Sequence, residues 1–283
     1  MLPNLPLQNI IQQVQNSLSE DIGHGDISAS LVNNHVIEAK LISRETAILC
    51  GSSWFEQCFL QLDPEATFSW SASDSDELSE NQQVCLIRGK AQAILTAERS
   101  AINFLQTLSA VATVTNSFIK LLSNTSIKLL DTRKTIPGLR VAQKYAVKCG
   151  GGYNHRHGLY DGVLLKENHI IAAGGIDKAI ENARNRISHG LKIEIEVETL
   201  SEVEQALDAK ADILLLDNMS IEMMENVIRM KKNKGSHTLL EASGNMNEDK
   251  IIGLRQLEID FISVGAVTKN IQSIDFSLRF LEN

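Results

Sequence analysis

From Ile127 onward the chain repeats one pattern: short apolar runs, each ending on a polar residue or a glycine, recur at intervals of about 20 to 35 residues. They are Ile127 to Asp131, Val163 to Lys166, Ile193 to Glu196, Ile213 to Asp217, Thr238 to Ser243 and Phe261 to Gly265. Helical stretches at Ile176 to Ile187, Leu200 to Ala209 and Ile221 to Lys232 separate several of them. Buried strand alternating with helix is the signature of parallel β/α architecture, so a barrel or open barrel is the first expectation and a doubly wound sheet the second. Ligands in either sit at the carboxyl ends of the strands, which would bring Asp131, Lys166, Glu196, Asp217, Ser243 and Gly265 to one mouth. Solvent exposure of a strand end explains one or two polar termini; six in a row with mixed charge favour a site.

The first hundred residues read differently. An amphipathic helix is expected over Leu7 to Glu20, a turn at Gly23-His24-Gly25-Asp26, and strands over Val36 to Cys50 and Val84 to Leu95, with a short helix near Trp54 to Leu62 and an acidic polar loop over Ser71 to Glu80. Thr96 is placed as the cap of a long helix running toward Leu122, which would form the hinge between two domains.

An apolar fraction of 43% and a charged fraction of 22% exclude a disordered chain. The net charge of −8 argues against general binding of nucleic acid or anionic membrane. No apolar run approaches the roughly 20 residues that span a bilayer, and the amino terminus lacks the basic-then-apolar order of a signal peptide, so a cytoplasmic location is expected. Cys50, Cys58, Cys85 and Cys149 contain no C-x-x-C pair and are read as isolated buried thiols.

Against this acidic background, Asp131 to Arg156 carries Arg133, Lys134, Arg140, Lys144, Lys148 and Arg156 with Asp131 as the one acid. A local reversal of that size points to a polyanionic ligand. Arg133 and Lys134, directly after a strand end, are read as ligand contacts, whereas Arg140, Lys144 and Lys148, at four-residue spacing, are read as a solvated helix face. Gly150-Gly151-Gly152 then permits close backbone approach before Tyr153-Asn154-His155-Arg156-His157. No Walker loop or dinucleotide fingerprint is present, and His155-x-His157 lacks further evident ligands for a metal. Glu196 and Asp217 suit sugar hydroxyls or Mg²⁺ held through water, and Ser243-Gly244 and Gly265-Ala266 suit a late-strand phosphate site. Together these residues describe a site for a phosphorylated sugar and a second anion.

The text DTRKTIPGLRVAQKYAVKCGGGYNHRHGLYDGVLLKEN at Asp131 to Asn168 closely resembles the quinolinate phosphoribosyltransferase family, and the likeness extends through EDIGHGDIS, ERSAINFLQTLS, IEIEVETL, ILLLDNM, EASGN and ISVGAV. The resemblance implies transfer of phosphoribose from phosphoribosyl pyrophosphate to quinolinate with decarboxylation, in de novo NAD biosynthesis. It implies an α/β fold: an amino-terminal α/β sandwich over 1–110, with 270–283 packing back, joined to an open, TIM-like β/α barrel over 111–269. It also implies a homodimer or higher oligomer in which one subunit completes the other's site. Carried over by motif, Arg99, Arg133, His155, Arg156 and Lys166 resemble the family's quinolinate-binding set, with Arg99 donated across the dimer. Lys134 would lie between the substrates, Glu196 and Asp217 would meet the ribose and Mg²⁺, and Ser243, Gly244, Gly265 and Ala266 would bind the 5′-phosphate. Lys134, Lys166, Glu196 and Asp217 are the catalytic candidates. Ile136 and Asn245 depart from the family's usual Thr and Gly, and Asn245 bears on the geometry of the phosphate loop. Two rivals share the scaffold: a paralogue associated with molybdenum transport operons, and a catalytically silent ligand-binding protein.

Overall fold

The computed structural model describes residues 6–187 and 190–281. The outer ends of the first predicted domain, 1–5 and 282–283, and residues 188–189 of the predicted barrel lie outside the described residues. In chain order the elements begin α1 (Leu7–Ile22), a 3-10 turn (Ala29–Leu31), β1 (Val36–Ser43), β2 (Ala47–Ile48), α2 (Ser52–Leu60), β3 (Thr67–Trp70), β4 (Glu77–Leu78), β5 (Gln83–Lys90) and α3 (Ala91–Leu121). There follow β6 (Lys128–Leu130), α4 (Arg140–Cys149), β7 (Val163–Leu165), α5 (Glu167–Ala173), α6 (Ile176–Arg186), β8 (Ile193–Val197), α7 (Leu200–Asp208) and β9 (Ile213–Asp217). The last are α8 (Ile221–Asn233), β10 (Leu239–Ser243), α9 (Glu248–Leu254), β11 (Phe261–Ser263), α10 (Ala266–Lys269) and β12 (Phe276–Phe280). Among the described residues no helix is long and apolar enough to cross a membrane.

Two compact units emerge: one of Met1–Ser117, Thr135–Gly151 and Val267–Asn283, the other of Phe118–Lys134 and Gly152–Ala266. The boundary at Ser117 falls inside α3, and the segment carrying α4 groups with the first unit.

In the first unit an antiparallel sheet runs in the order β12-β1-β5-β3, with Ala39 opposite Phe280 on one side and Ile87 on the other. Alternate residues of β1 are buried from Ala39 onward, the period-two pattern of a half-covered strand. The cover comes from α2, whose Phe55 and Phe59 meet Trp70 and Phe68 of β3 at ring-centroid distances of 5.5 and 5.9 Å. The long strand expected over Val36 to Cys50 is broken at Arg44–Thr46 into β1 and β2, and the acidic stretch before Glu80 includes β4. Helix α3 begins at Ala91 rather than beyond Thr96, so Thr96 is no cap: its hydroxyl donates to Asp26 Oδ2 at 3.0 Å. The apolar stretch Val84 to Leu95 contains both the strand and the first helical turn, and periodicity does not separate the two in so short a run.

Helix α4 also corrects the expectation of a solvated cationic face. Lys144 is 1% exposed and Arg140 and Lys148 are half-buried. Four-residue spacing identifies a helix face but not what covers it. Gly150 follows α4, where a Cβ would lie 2.6 Å from Thr115 Cβ of α3, so close backbone approach demands glycine.

In the second unit the described strands form a six-stranded parallel sheet in the order β6-β11-β10-β9-β8-β7. From β7 to β11 each strand pairs with its successor, and β11 returns to β6. That is the cyclic order of a β/α barrel left open between β6 and β7, and it lacks the reversal of a doubly wound sheet. Tyr153 forms an isolated parallel bridge with Leu130 at the open edge.

Candidate active site

Side chains two residues apart on a strand share a face, and in the second unit this parity builds the site. A cleft of about 220 Å³ is lined by Leu164 and Lys166 from the β7 end, Glu196 from β8, Leu215 and Asp217 from β9, Glu241 and Ser243 from β10, and Ser263 from β11. Register agrees: Glu196 pairs with Leu215, Leu215 with Glu241, and Asp217 with Ser243. Thr132, Arg133 and Lys134 follow β6 into the same cleft, and His155 and Arg156 come from the loop beside its open edge.

The cleft therefore gathers Arg133, Lys134, His155, Arg156, Lys166, Glu196, Asp217 and Ser243 from the residues singled out in the sequence. Arg99 is not among its lining residues and is exposed on α3 in the first unit. Gly244, Gly265 and Ala266 do not line it either. Gly265 follows β11 with its Cβ position 3.2 Å from Lys134 Cδ, and Ala266 opens α10. Gly244 has φ +89°, and a Cβ there would lie 2.7 Å from the Asn218 nitrogen. Asn245 keeps a left-handed φ of +43°, a conformation asparagine tolerates better than most residues, so the loop turns without a second glycine.

Asp131 was expected at the mouth, but it is fully buried at the end of β6. Its Oδ2 accepts from Asn154 Nδ2 at 2.5 Å and its Oδ1 from the His155 backbone N–H at 3.0 Å, fastening the Asn154–Arg156 segment to the strand. Asp161 accepts from the His157 and Gly158 backbone N–H groups at 2.8 and 2.9 Å and closes the same loop.

His155 has an acidic setting that the sequence reading missed. Its Nε2 lies 2.9 Å from Glu194 Oε2 and 3.8 Å from Glu241 Oε1, and both carboxylates are buried. The Arg156 backbone N–H donates to His155 Nδ1 at 2.8 Å, which places the ring proton on Nε2 for donation to Glu194. Burial, and then the neighbouring Glu194, push the Glu241 carboxyl up to about 8, so it holds its proton near neutrality. The missing signal was parity: Glu194 stands two residues before Glu196, and Glu241 two before Ser243.

Burial, and then the charge of Arg133, lower the proton affinity of Arg156, whose Nη1 donates to the Gly162 carbonyl at 3.1 Å. Two guanidinium groups held within each other's field suit an anion that neutralises both. Lys166 Nζ contacts Glu196 Oε2 directly. Oxygen atoms of Glu196, Glu198 and Asp217 lie within 4.8 Å of one another. Asn218 Nδ2 donates to Asp217 Oδ2 at 2.8 Å, and Lys250 Nζ donates to the Gly244 carbonyl at 3.0 Å.

The chain matches two family models, the N-terminal domain of quinolinate phosphoribosyl transferase over residues 26–109 and the C-terminal domain over residues 111–279. A Bacillus subtilis protein named probable nicotinate-nucleotide pyrophosphorylase [carboxylating] is 35% identical over 260 residues, covering 92% of this chain and 89% of its own length. A Nicotiana glauca protein named quinolinate phosphoribosyltransferase [decarboxylating] 1 is 34% identical over 98% of this chain and 84% of its own. The solved structure of the nicotinate-nucleotide pyrophosphorylase from Francisella tularensis is similar with a TM-score of 0.93, at 45% identity over 98% of each chain. With both domain models matched, and an open barrel whose strand ends gather the cations and acids of one cleft, the chain belongs to the quinolinate phosphoribosyltransferase family.

Proposed function

We propose that this protein transfers phosphoribose from phosphoribosyl pyrophosphate to the ring nitrogen of quinolinate and decarboxylates the product to nicotinate mononucleotide, releasing CO2 and pyrophosphate. The observation that carries the reading is the convergence of Arg133, Arg156 and Lys166 with Glu196, Asp217 and Ser243 on one cleft. Quinolinate carries two carboxylates on a planar ring, and guanidinium groups meet carboxylates with paired, coplanar donors. Arg133 and Arg156 take those contacts, and Lys166, released from Glu196, adds a third positive charge. His155 supports them chiefly by fixing the Arg156 backbone. Arg99, remote in sequence and exposed, is donated by a second copy in a homodimer.

Glu196 and Asp217 meet the ribose hydroxyls, and Ser243 with Gly244 and Gly265 with Ala266 receive the 5′-phosphate. The hard oxygen donors of Glu196, Glu198 and Asp217 fit Mg²⁺ held through water. When bound with the substrate, that ion would neutralise charge on the departing pyrophosphate.

The ring nitrogen is nucleophilic without activation, so these residues act by positioning and charge stabilisation. Its lone pair forms the bond to the sugar C1, and pyrophosphate leaves with the electrons of the broken C–O bond. The nitrogen is then cationic and stabilises the electron pair left on the adjacent carbon when its carboxylate departs as CO2. A proton from Lys134, Lys166 or water completes the product.

Incubation of the purified protein with quinolinate, phosphoribosyl pyrophosphate and Mg²⁺ is expected to yield nicotinate mononucleotide and CO2 in equal amounts. Turnover of nicotinate in preference to quinolinate, or no turnover of either, would overturn the reading.

A further inference from the structure

The first unit contains its own group of side chains able to ligate a metal, drawn from residues the reaction does not use. Cys50, just beyond β2, Asp74, in the loop before β4, and Cys149, the last residue of α4, each place a donor atom within 4.8 Å of the others. Both thiols are free and buried, so the expectation of isolated cysteines holds for Cys58 and Cys85 but not for this pair. Tyr145, one turn before Cys149 on α4, donates its phenolic hydrogen to Asp74 Oδ2 at 2.9 Å.

Core packing accounts for a buried thiol, which behaves as a small apolar side chain. Hydrogen bonds from Gly51, Ser52 and Tyr145 hold the Asp74 carboxylate in place, but neither they nor packing require two thiols beside it. A divalent cation accounts for the grouping, because thiolates form as its ligands and the clustered negative charges become compatible.

The donors are also held in place. Ser109 Oγ accepts from the Cys50 backbone N–H at 3.0 Å and donates to the Cys50 carbonyl at 3.2 Å. Asp74 Oδ2 accepts from Gly51 N–H at 3.1 Å and Oδ1 from Ser52 N–H at 3.2 Å, which leaves Oδ1 a lone pair for a further partner. Such outer hydrogen bonds orient ligands in structural metal sites. In tetrahedral coordination with bonds of about 2.3 Å to sulfur, two sulfurs stand about 3.8 Å apart. Donors already within 4.8 Å reach that spacing by closing no more than about 1 Å. Asp74 is half-exposed and provides the entry path.

We propose that Cys50, Cys149 and Asp74 form a binding site for a thiophilic divalent cation of the Zn²⁺ and Cd²⁺ class, with Tyr145 holding the carboxylate from outside the ligand set. Binding forms two metal–sulfur bonds and one metal–oxygen bond, and two thiol protons pass to solvent; no oxidant takes part. The cation would tie the end of α4 to the segment between β2 and α2.

The test is titration of the reduced, metal-free full-length protein with Cd²⁺, followed by equilibrium dialysis and by sulfur-to-cadmium charge-transfer absorption. The wild type and the Cys58→Ala control are expected to bind one ion with that absorption, releasing about two protons per ion. Cys50→Ala and Cys149→Ala are each expected to lose the absorption and bind more than about tenfold more weakly. The oxygen donors of the cleft give no sulfur band, so binding there is distinguished. Cadmium-113 NMR of the wild type counts its thiolate ligands without any variant, and a two-sulfur shift is expected. No stoichiometric binding by the folded wild type, an all-oxygen shift, or a band that persists in both thiol variants would overturn the proposal.

Discussion

At Arg156, one guanidinium donor is fixed on the Gly162 carbonyl while burial and Arg133 make the charge costly to hold. An arriving carboxylate would relieve that cost, so the residue is expected to matter more to ligand binding than to the fold. Arg156→Ala is expected to weaken quinolinate binding by about 100-fold, the loss of two charge-assisted hydrogen bonds, with little change in thermal stability. Calorimetry checks this, and unchanged affinity would remove Arg156 from the site. Glu241 gives the opposite balance. Folding raises its carboxyl from an ordinary value near 4.5 to about 8, so the protonated form favours the folded state. That contribution is whole below about pH 4.5 and is lost as pH rises through about 8. Glu241→Gln, which keeps the neutral shape, is expected to flatten the decline in melting temperature over that window. An identical decline in the variant and the wild type would show that Glu241 is not its cause. The side chains at strand ends were legible because each closes an apolar run. Glu194 and Glu241 were not, because an acid inside such a run reads as an interruption until its parity with the next polar residue is noticed.

Among the elements, the second unit's helices start where local chemistry dictates. Thr199 Oγ1 accepts from Glu202 N–H at 3.3 Å and Glu202 Oε2 accepts from Thr199 N–H at 3.0 Å, a reciprocal cap that begins α7. Thr199→Ala is expected to cost about 1 kcal/mol in denaturant unfolding, and no loss would show that the cap is not stabilising. Strands β6 to β11 lie within a residue or two of their expected limits, because each is a short apolar run that ends on a polar residue or a glycine. The first unit was harder to read. There β5 runs directly into α3, with Gly89 standing inside the strand as its one marker, and a turn at Arg44–Thr46 splits the expected strand before Cys50 with no glycine or proline. The burial of Lys144 was equally hidden, since sequence spacing gives its face and not its neighbours.

For the whole molecule, the cyclic strand order explains why residues from Thr132 to Ser263 meet. A parallel barrel sends every strand's carboxyl end to one rim, so positions far apart in the chain become neighbours there. If the acids of that rim hold Mg²⁺ with the substrate, excess chelator is expected to abolish turnover and added Mg²⁺ to restore it; undiminished turnover would exclude the ion. The central claim is that the cations of the second unit's cleft grip quinolinate. A crystal structure of the protein soaked with quinolinate tests it most directly. The account predicts the ring inside the cleft with its carboxylates within hydrogen-bond distance of Arg133 and Arg156. Quinolinate bound elsewhere, or an empty cleft at saturating ligand, would contradict it.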